Sequence, residues 1–179
     1  MRESSTMKCR RAGGMTIIEL LIVLVIAGIF ATLGMPSFTD FIRQMRLSSA
    51  MNEMAADLYM ARSEAIKRNT RVLMCPRSSA TSMVCASPIA TGTWMNGWLV
   101  CYDADSNAVC DATSASDPNP IRVHAALSSP IVLSGPASLV TFLPVGNAVK
   151  AATFTMTGST TTTRTASVAT SGSVKVTKS

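Results

Sequence analysis

The chain has 179 residues, 47% of them hydrophobic and 15% charged, with a formal net charge of +6. That length holds one compact domain plus an appendage, and the composition is not that of a multi-span membrane protein. The charge is front-loaded, because Arg2, Lys8, Arg10 and Arg11 against Glu3 place +3 in the first fourteen residues and leave +3 for the remainder.

Lys8-Cys9-Arg10-Arg11-Ala12-Gly13-Gly14 leads into an apolar run from Met15 to Met35 that a single charge, Glu19, interrupts. A run of that length is what a helix needs to cross a bilayer core. Basic residues before it predict a cytoplasmic leader and an exported C-terminal domain. No A-x-A-like site follows the run, Ala31-Thr32-Leu33-Gly34 being a poor substitute, so the helix is expected to be kept. A carboxylate inside a membrane helix costs about 2.5–3.5 kcal/mol on insertion scales, so Glu19 needs a partner.

Gly14-Met15-Thr16-Ile17-Ile18-Glu19-Leu20 closely resembles the processing site of type IV prepilins, with Gly before the cut, an apolar first mature residue and Glu at the fifth mature position. Met15 stands where the family usually carries Phe. The resemblance implies that prepilin peptidase cuts between Gly14 and Met15 and that the new Met15 amine is methylated. It also implies that Glu19 serves assembly, pairing with a neighbour's terminal amine so that each charge offsets the other's desolvation.

Pro36 is expected to kink the helix. Helical periodicity then resumes, with Phe38, Phe41, Met45, Met54, Leu58, Ala61 and Ala65 on one face. Arg43, Arg46, Glu53, Asp57, Arg62, Glu64 and Lys67 fall elsewhere, on a face expected to be wet. Met45, Met51, Met54 and Met60 read as adaptable core filling against a sheet, and helical character ends near Asn69-Thr70. Beyond that, short apolar and β-branched runs bounded by Gly, Pro, Ser and Asn predict strands at 71–75, 98–102, 121–124, 131–133, 139–142, 152–156, 164–168 and 173–176. The Ser/Thr-rich stretch 157–163 reads as a hairpin tip.

Apart from Cys9 in the leader, four cysteines remain: Cys75, Cys85, Cys101 and Cys110. An even number in an exported domain points to disulfides, and loop closure favours Cys75 with Cys85 and Cys101 with Cys110. Zinc is the rival, but intervals of ten and nine residues are not the close pairs that zinc sites usually use. Asp103-Ala104-Asp105-Ser106-Asn107 starts like a calcium loop. It has Ala108 and Ser114 where an EF-hand loop wants Gly and Glu, and it reads instead as a polar hairpin pinned by Cys101 and Cys110. Trp94 and Trp98 bracket an Asn96-Gly97 turn and are expected to pack it onto the sheet rather than to stack on nucleic-acid bases. The single histidine, His124, has no carboxylate pair or nucleophile motif with it, so no catalytic residue and no cofactor is expected.

The stretch 61–69, Ala-Arg-Ser-Glu-Ala-Ile-Lys-Arg-Asn, is followed by Val72-Leu73-Met74-Cys75-Pro76 and by Trp94-Met95-Asn96-Gly97-Trp98-Leu99-Val100. Together with Phe142-Leu143-Pro144-Val145-Gly146 these are similar to the FimT/FimU minor pilins and GspH pseudopilins. The resemblance implies an α+β type IV pilin fold, a long N-terminal helix whose membrane half protrudes, packed on an antiparallel β-sandwich-like head. On that reading the chain divides into a cleaved leader (1–14), a transmembrane half-helix (15–36), an amphipathic half-helix (37–70) and the head (71–179). The implied function is a minor pilin that helps to initiate or cap a pilus, with a type II secretion pseudopilin as the alternative. The implied partners are other minor and major pilins or pseudopilins, prepilin peptidase, an inner-membrane assembly platform and the membrane itself through the N-terminal helix. Localisation follows as single-pass in a bacterial inner membrane with a periplasmic domain, then the filament. Some FimT-type members bind DNA through a C-terminal Gly-Arg-x-Arg motif, for which this chain has Gly172-Ser173-Val174-Lys175. Lacking the forked Arg contacts, it is expected to bind DNA weakly at most, through Arg164, Lys175 and Lys178.

Overall fold

The computed structural model describes residues 14–111, 119–158 and 162–178, with the side chains of 31–37 excepted. The leader before Gly14, the position of Ser114 and the tip at 159–161 lie outside the described residues, as does the expected consequence of Pro36. The chain forms two compact units, Met1–Thr39 and Asp40–Ser179.

Helix α1 (Ile17–Arg68) is followed by eight strands. They are β1 (Arg71–Pro76), β2 (Trp98–Asp103), β3 (Arg122–Val123), β4 (Val132–Ser134), β5 (Val140–Phe142), β6 (Ala152–Thr157), β7 (Thr163–Val168) and β8 (Val174–Lys178). All eight fall on the predicted apolar runs. They form two four-stranded antiparallel sheets in the orders β3-β2-β1-β5 and β4-β6-β7-β8, so the expected α+β class holds.

In the second unit the helix presents a stripe at intervals of three and four: Leu47, Ala50, Met51, Met54, Leu58, Ala61 and Ala65. It packs on Val72, Met74 and Val100 of the first sheet and on Phe154, Met156, Ala166 and Val168 of the second. Removing this stripe from water is the main force holding helix to sheets. The buried face starts later than the periodicity suggested, because Phe38, Phe41 and Met45 are 66%, 56% and 55% exposed.

β1 and β2 are buried on both faces. Val72, Met74 and Val100 face the helix, whereas Leu73, Cys75, Leu99 and Cys101 lie outside the main core and are also fully buried. Alternation along each strand puts these four on the opposite face, toward the loop side.

The membrane-spanning helix expected at 15–36 is not present: among the described residues no helix is long and apolar enough to cross a membrane. The described helix carries Glu19 in its first turn. Single-pass inner-membrane localisation and a membrane contact through this helix, which rested on that span, fall with it.

Candidate functional site

At the N-terminus of α1, Thr16 stands just outside the helix and its Oγ1 accepts the backbone N–H of Glu19 at 3.3 Å, while its carbonyl accepts from Leu20 N at 3.2 Å. Thr16 is therefore the N-cap and Glu19 the third helical residue, the T-x-x-E spacing of a capping box. A carboxylate in the first turn also faces the positive end of the helix dipole. Glu19 is exposed, and no cation pairs with it among the described residues. A Cβ built at Gly14 meets nothing within 4 Å among the described residues, so none of them demands glycine there.

The loop side of the first sheet carries the cysteines. Cys75 is bonded to Cys85 and Cys101 to Cys110, with Cα separations of 5.6 and 5.5 Å. Cys75 and Cys101 belong to the paired strands β1 and β2, and Cys85 and Cys110 to the loops that fold back over them. The Sγ atoms of Cys85 and Cys110, from different disulfides, are 3.4 Å apart. Beside them a cavity of about 970 Å³ is lined by Met83, Val84, Ile89, Val109 and Leu139, with Lys150 at its wall.

Asp103, Asp105 and Asp111 converge in the adjoining turn. Their carboxylates serve the backbone: Asp111 accepts from Ala104 N at 2.6 Å, Asp105 from Asn107 N at 3.1 Å and Asp103 from Ala108 N at 3.3 Å. Burial pushes the Asp103 carboxyl above its ordinary value, and the hydrogen bond from Ala108 only partly opposes it.

Both tryptophans are fully buried, which removes them as platforms for bases. Trp94 donates to Pro136 O at 2.8 Å and meets Phe154 edge-on at 4.8 Å. Trp98 donates to Asp57 Oδ2 at 2.8 Å and stacks on His124 at 3.8 Å. Asp57 corrects the helical-face reading: it is 2% exposed, not wet, and also holds Arg122 Nε at 3.2 Å. His124 Nε2 reaches Glu53 Oε2 at 2.9 Å, and that hydrogen bond is the first cause of a lowered Glu53 pKa. The sequence signal for Asp57 was indirect: a buried indole N–H requires an acceptor. Glu64 is likewise lowered, first by Lys67 and then by Arg68 and Tyr102.

The C-terminal cations do not converge. Arg164 pairs across the ladder with Lys178, whereas Lys175 pairs with Ser167. Strand alternation puts Arg164 and Lys178 on the face of Ala166 and Val176 and Lys175 on the other face. Arg164 Nε is buried with no hydrogen-bond partner among the described residues. Gly172, at the position of the DNA-binding motif, is occupied structurally, since Arg62 donates to Gly146 O at 2.9 Å and to Ser171 O at 3.3 Å and so ties the two turns together.

A head of this architecture behind a methylation-type N-terminus is what comparison with known proteins also finds. A family model described as type II transport protein GspH matches residues 50–173. The chain belongs to the GspH family. A second model, described as the prokaryotic N-terminal methylation motif, matches residues 9–35. No curated protein matches. Among solved structures, the type IV minor pilin FimU of Pseudomonas aeruginosa strain PAO1 in its P21 crystal form is similar at a TM-score of 0.52 and 20% identity, covering 76% of this chain and 92% of that one. Its P65 form gives 0.49 and 20%, covering 73% and 91%. At that identity the P21 likeness shows the fold alone. The GspH-family group is one of minor pilins and pseudopilins, structural subunits rather than catalysts.

Proposed function

We propose that this GspH-family chain is a minor type IV pilin that helps to initiate or cap a filament serving motility, adhesion or DNA uptake. It is cut between Gly14 and Met15, methylated at the Met15 amine, and joined to its neighbours in part by Glu19 facing another subunit's terminal amine. One observation carries the reading: a methylation motif over 9–35 and a GspH-type head over 50–173 lie in the same chain. The absence of any local need for glycine at Gly14 supports a role for it in recognition by a peptidase. The partners on this reading are prepilin peptidase, the assembly machinery and other minor and major pilins.

Mass spectrometry of the mature chain should find N-methyl-Met15. A filament-borne subunit that still begins at Met1, or that begins beyond Ala31, overturns the proposal. The second reading, a minor pseudopilin of a type II secretion system, is favoured by the description of the matching family. Deleting the gene separates the two, by loss of surface filaments in one case and retention of exported proteins in the other. A DNA-binding role in transformation has only two basic side chains, Arg164 and Lys178, on a common face. We expect a salt slope of about −2 at most in gel shifts.

A further inference from the structure

We propose that Cys75, Cys85, Cys101 and Cys110, when reduced, form a tetrathiolate site for one thiophilic d10 cation such as zinc, so that two disulfides and one metal site are alternative states of the same four side chains. The four Sγ atoms all lie within 4.8 Å of one another. With Zn–S bonds of about 2.3 Å, sulfurs at the corners of a tetrahedron are about 3.8 Å apart. The non-bonded Cys85–Cys110 edge, at 3.4 Å, is already near that size. What must change is the two bonded edges, which open when the disulfides are reduced.

The fold supplies one rigid and one adjustable half for that opening. Cys75 lies opposite Leu99 and Cys101 opposite Leu73 in the β1–β2 ladder, so these two sulfurs are held on one face of paired strands. Cys85 and Cys110 lie in loops outside the β1–β2 ladder, held near Cys85 by Ala86 N donating to Pro76 O and Ser78 N to Val84 O, and near Cys110 by Asp111 N donating to Tyr102 O and Asn119 Nδ2 to Asp111 O. Movement of either loop breaks these hydrogen bonds but none of the β1–β2 ladder itself. Strand pairing thereby does what close spacing does in ordinary zinc sites, which is why intervals of ten and nine residues concealed the cluster. Met83, Val84 and Val109 line the cavity beside the loop sulfurs, and Lys150 on the same cavity wall carries charge opposite to the net −2 of a zinc tetrathiolate.

Interconversion balances with a disulfide oxidant. One metal tetrathiolate and two oxidant disulfides give the two cystines, four oxidant thiolates and the free divalent ion, four electrons passing from the cysteine sulfurs to the oxidant. Reduction by two equivalents of a dithiol reverses it.

The test uses the full chain with Cys9→Ser throughout, reduced without oxygen and titrated with Co²⁺ alone and then Zn²⁺. We expect one Co²⁺ per chain, with the intense visible bands of tetrahedral cobalt and a sulfur-to-cobalt charge-transfer band. Zinc should displace the cobalt, and a disulfide oxidant should release the metal in step with loss of four thiols. The Cys85→Ser/Cys110→Ser variant, which leaves both strand cysteines in place, should bind more than about 100-fold more weakly, exceeding the cost of losing an outer-shell partner. Because metal binding can drive folding, a reduced chain that is unfolded before titration still gives a reading. Weak octahedral cobalt spectra, a stoichiometry that needs two chains per ion, or unchanged affinity in the double variant would overturn the proposal.

Discussion

Asp57→Ala removes the acceptor of two donors at once. The Trp98 indole N–H, fully buried and 2.8 Å from the carboxylate, loses its acceptor. An unsatisfied buried donor costs about 1–3 kcal/mol. The Arg122 contact at 3.2 Å adds at most about 1 kcal/mol, because that guanidinium is half-exposed and its charge is screened. The expected loss is therefore about 1–4 kcal/mol, or about 4–16 °C in Tm for a unit of this size at roughly 4 °C per kcal/mol. Asp57→Asn keeps an oxygen for the indole and should recover most of the loss, whereas Arg122→Met should cost no more than about 1 kcal/mol. Urea unfolding of residues 40–179, followed by tryptophan fluorescence and closed into an Asp57/Arg122 double-mutant cycle, measures each term. If Asp57→Ala lies within about 0.5 kcal/mol of the parent, the range of an ordinary surface substitution, the indole–carboxylate bond carries no weight. If Asn costs as much as Ala, charge and not acceptance is what the site needs.

Gly172→Ala should cost at least about 2 kcal/mol, because φ is +77° and the added Cβ runs into the Gly146 carbonyl oxygen; a Tm equal to the parent's contradicts the described turn. Non-reducing peptide mapping of the oxidised chain should recover Cys75–Cys85 and Cys101–Cys110, and opening either should cost about 2–3 kcal/mol from loop entropy. On acidification, Glu53 and Glu64, whose folded pKa values are depressed, contribute stability present above their ordinary value of 4.5 and lost as pH falls through the folded values. Asp103, raised by burial, has the opposite sign: its contribution is complete below 3.8 and is lost as pH rises through its folded value. Glu53→Gln should thus flatten the acid limb of a stability–pH curve and Asp103→Asn steepen it; the reverse pattern would show the signs are misassigned.

Much of the fold was legible because local signals agreed. The predicted runs were apolar and β-branched, punctuated by Gly, Pro, Ser and Asn, and each overlaps a strand. What periodicity could not show was which turns of a face are covered: Phe38, Phe41 and Met45 continue the stripe of Met54 and Leu58 but are more than half exposed. Asp57 was misread for a related reason. Its partner Trp98 is 41 positions away, and a charge on a helix is by default a wet one. The cysteine cluster was hidden because sequence intervals say nothing about which strands are neighbours. The span expected at 15–36 is not met, because among the described residues no helix is long and apolar enough to cross a membrane.

Glu19 holds two candidate roles, and the structure suggests how to separate them. One is local: as third residue of α1 its backbone N–H is capped by Thr16 Oγ1, and its side chain holds the T-x-x-E position from which, in a capping box, an oxygen returns the cap without needing a full charge. The other is intermolecular, a carboxylate opposite a neighbour's terminal amine, and it needs the charge. Thr16→Ala removes the side-chain cap, at a cost of about 1 kcal/mol to the first turn, and leaves Glu19 ionised. Glu19→Gln does the converse, keeping an oxygen for the backbone while deleting the charge. If the charge is what assembly uses, Glu19→Gln is processed and methylated normally yet depleted from sheared filament fractions, while Thr16→Ala is incorporated nearly as well as the parent. If helix capping is the whole of its role, the order reverses: Thr16→Ala frays the first turn and is depleted, and Glu19→Gln assembles. Quantitative immunoblots of whole-cell and sheared fractions for the two variants distinguish these outcomes. Equal incorporation of both would remove Glu19 from the assembly mechanism altogether.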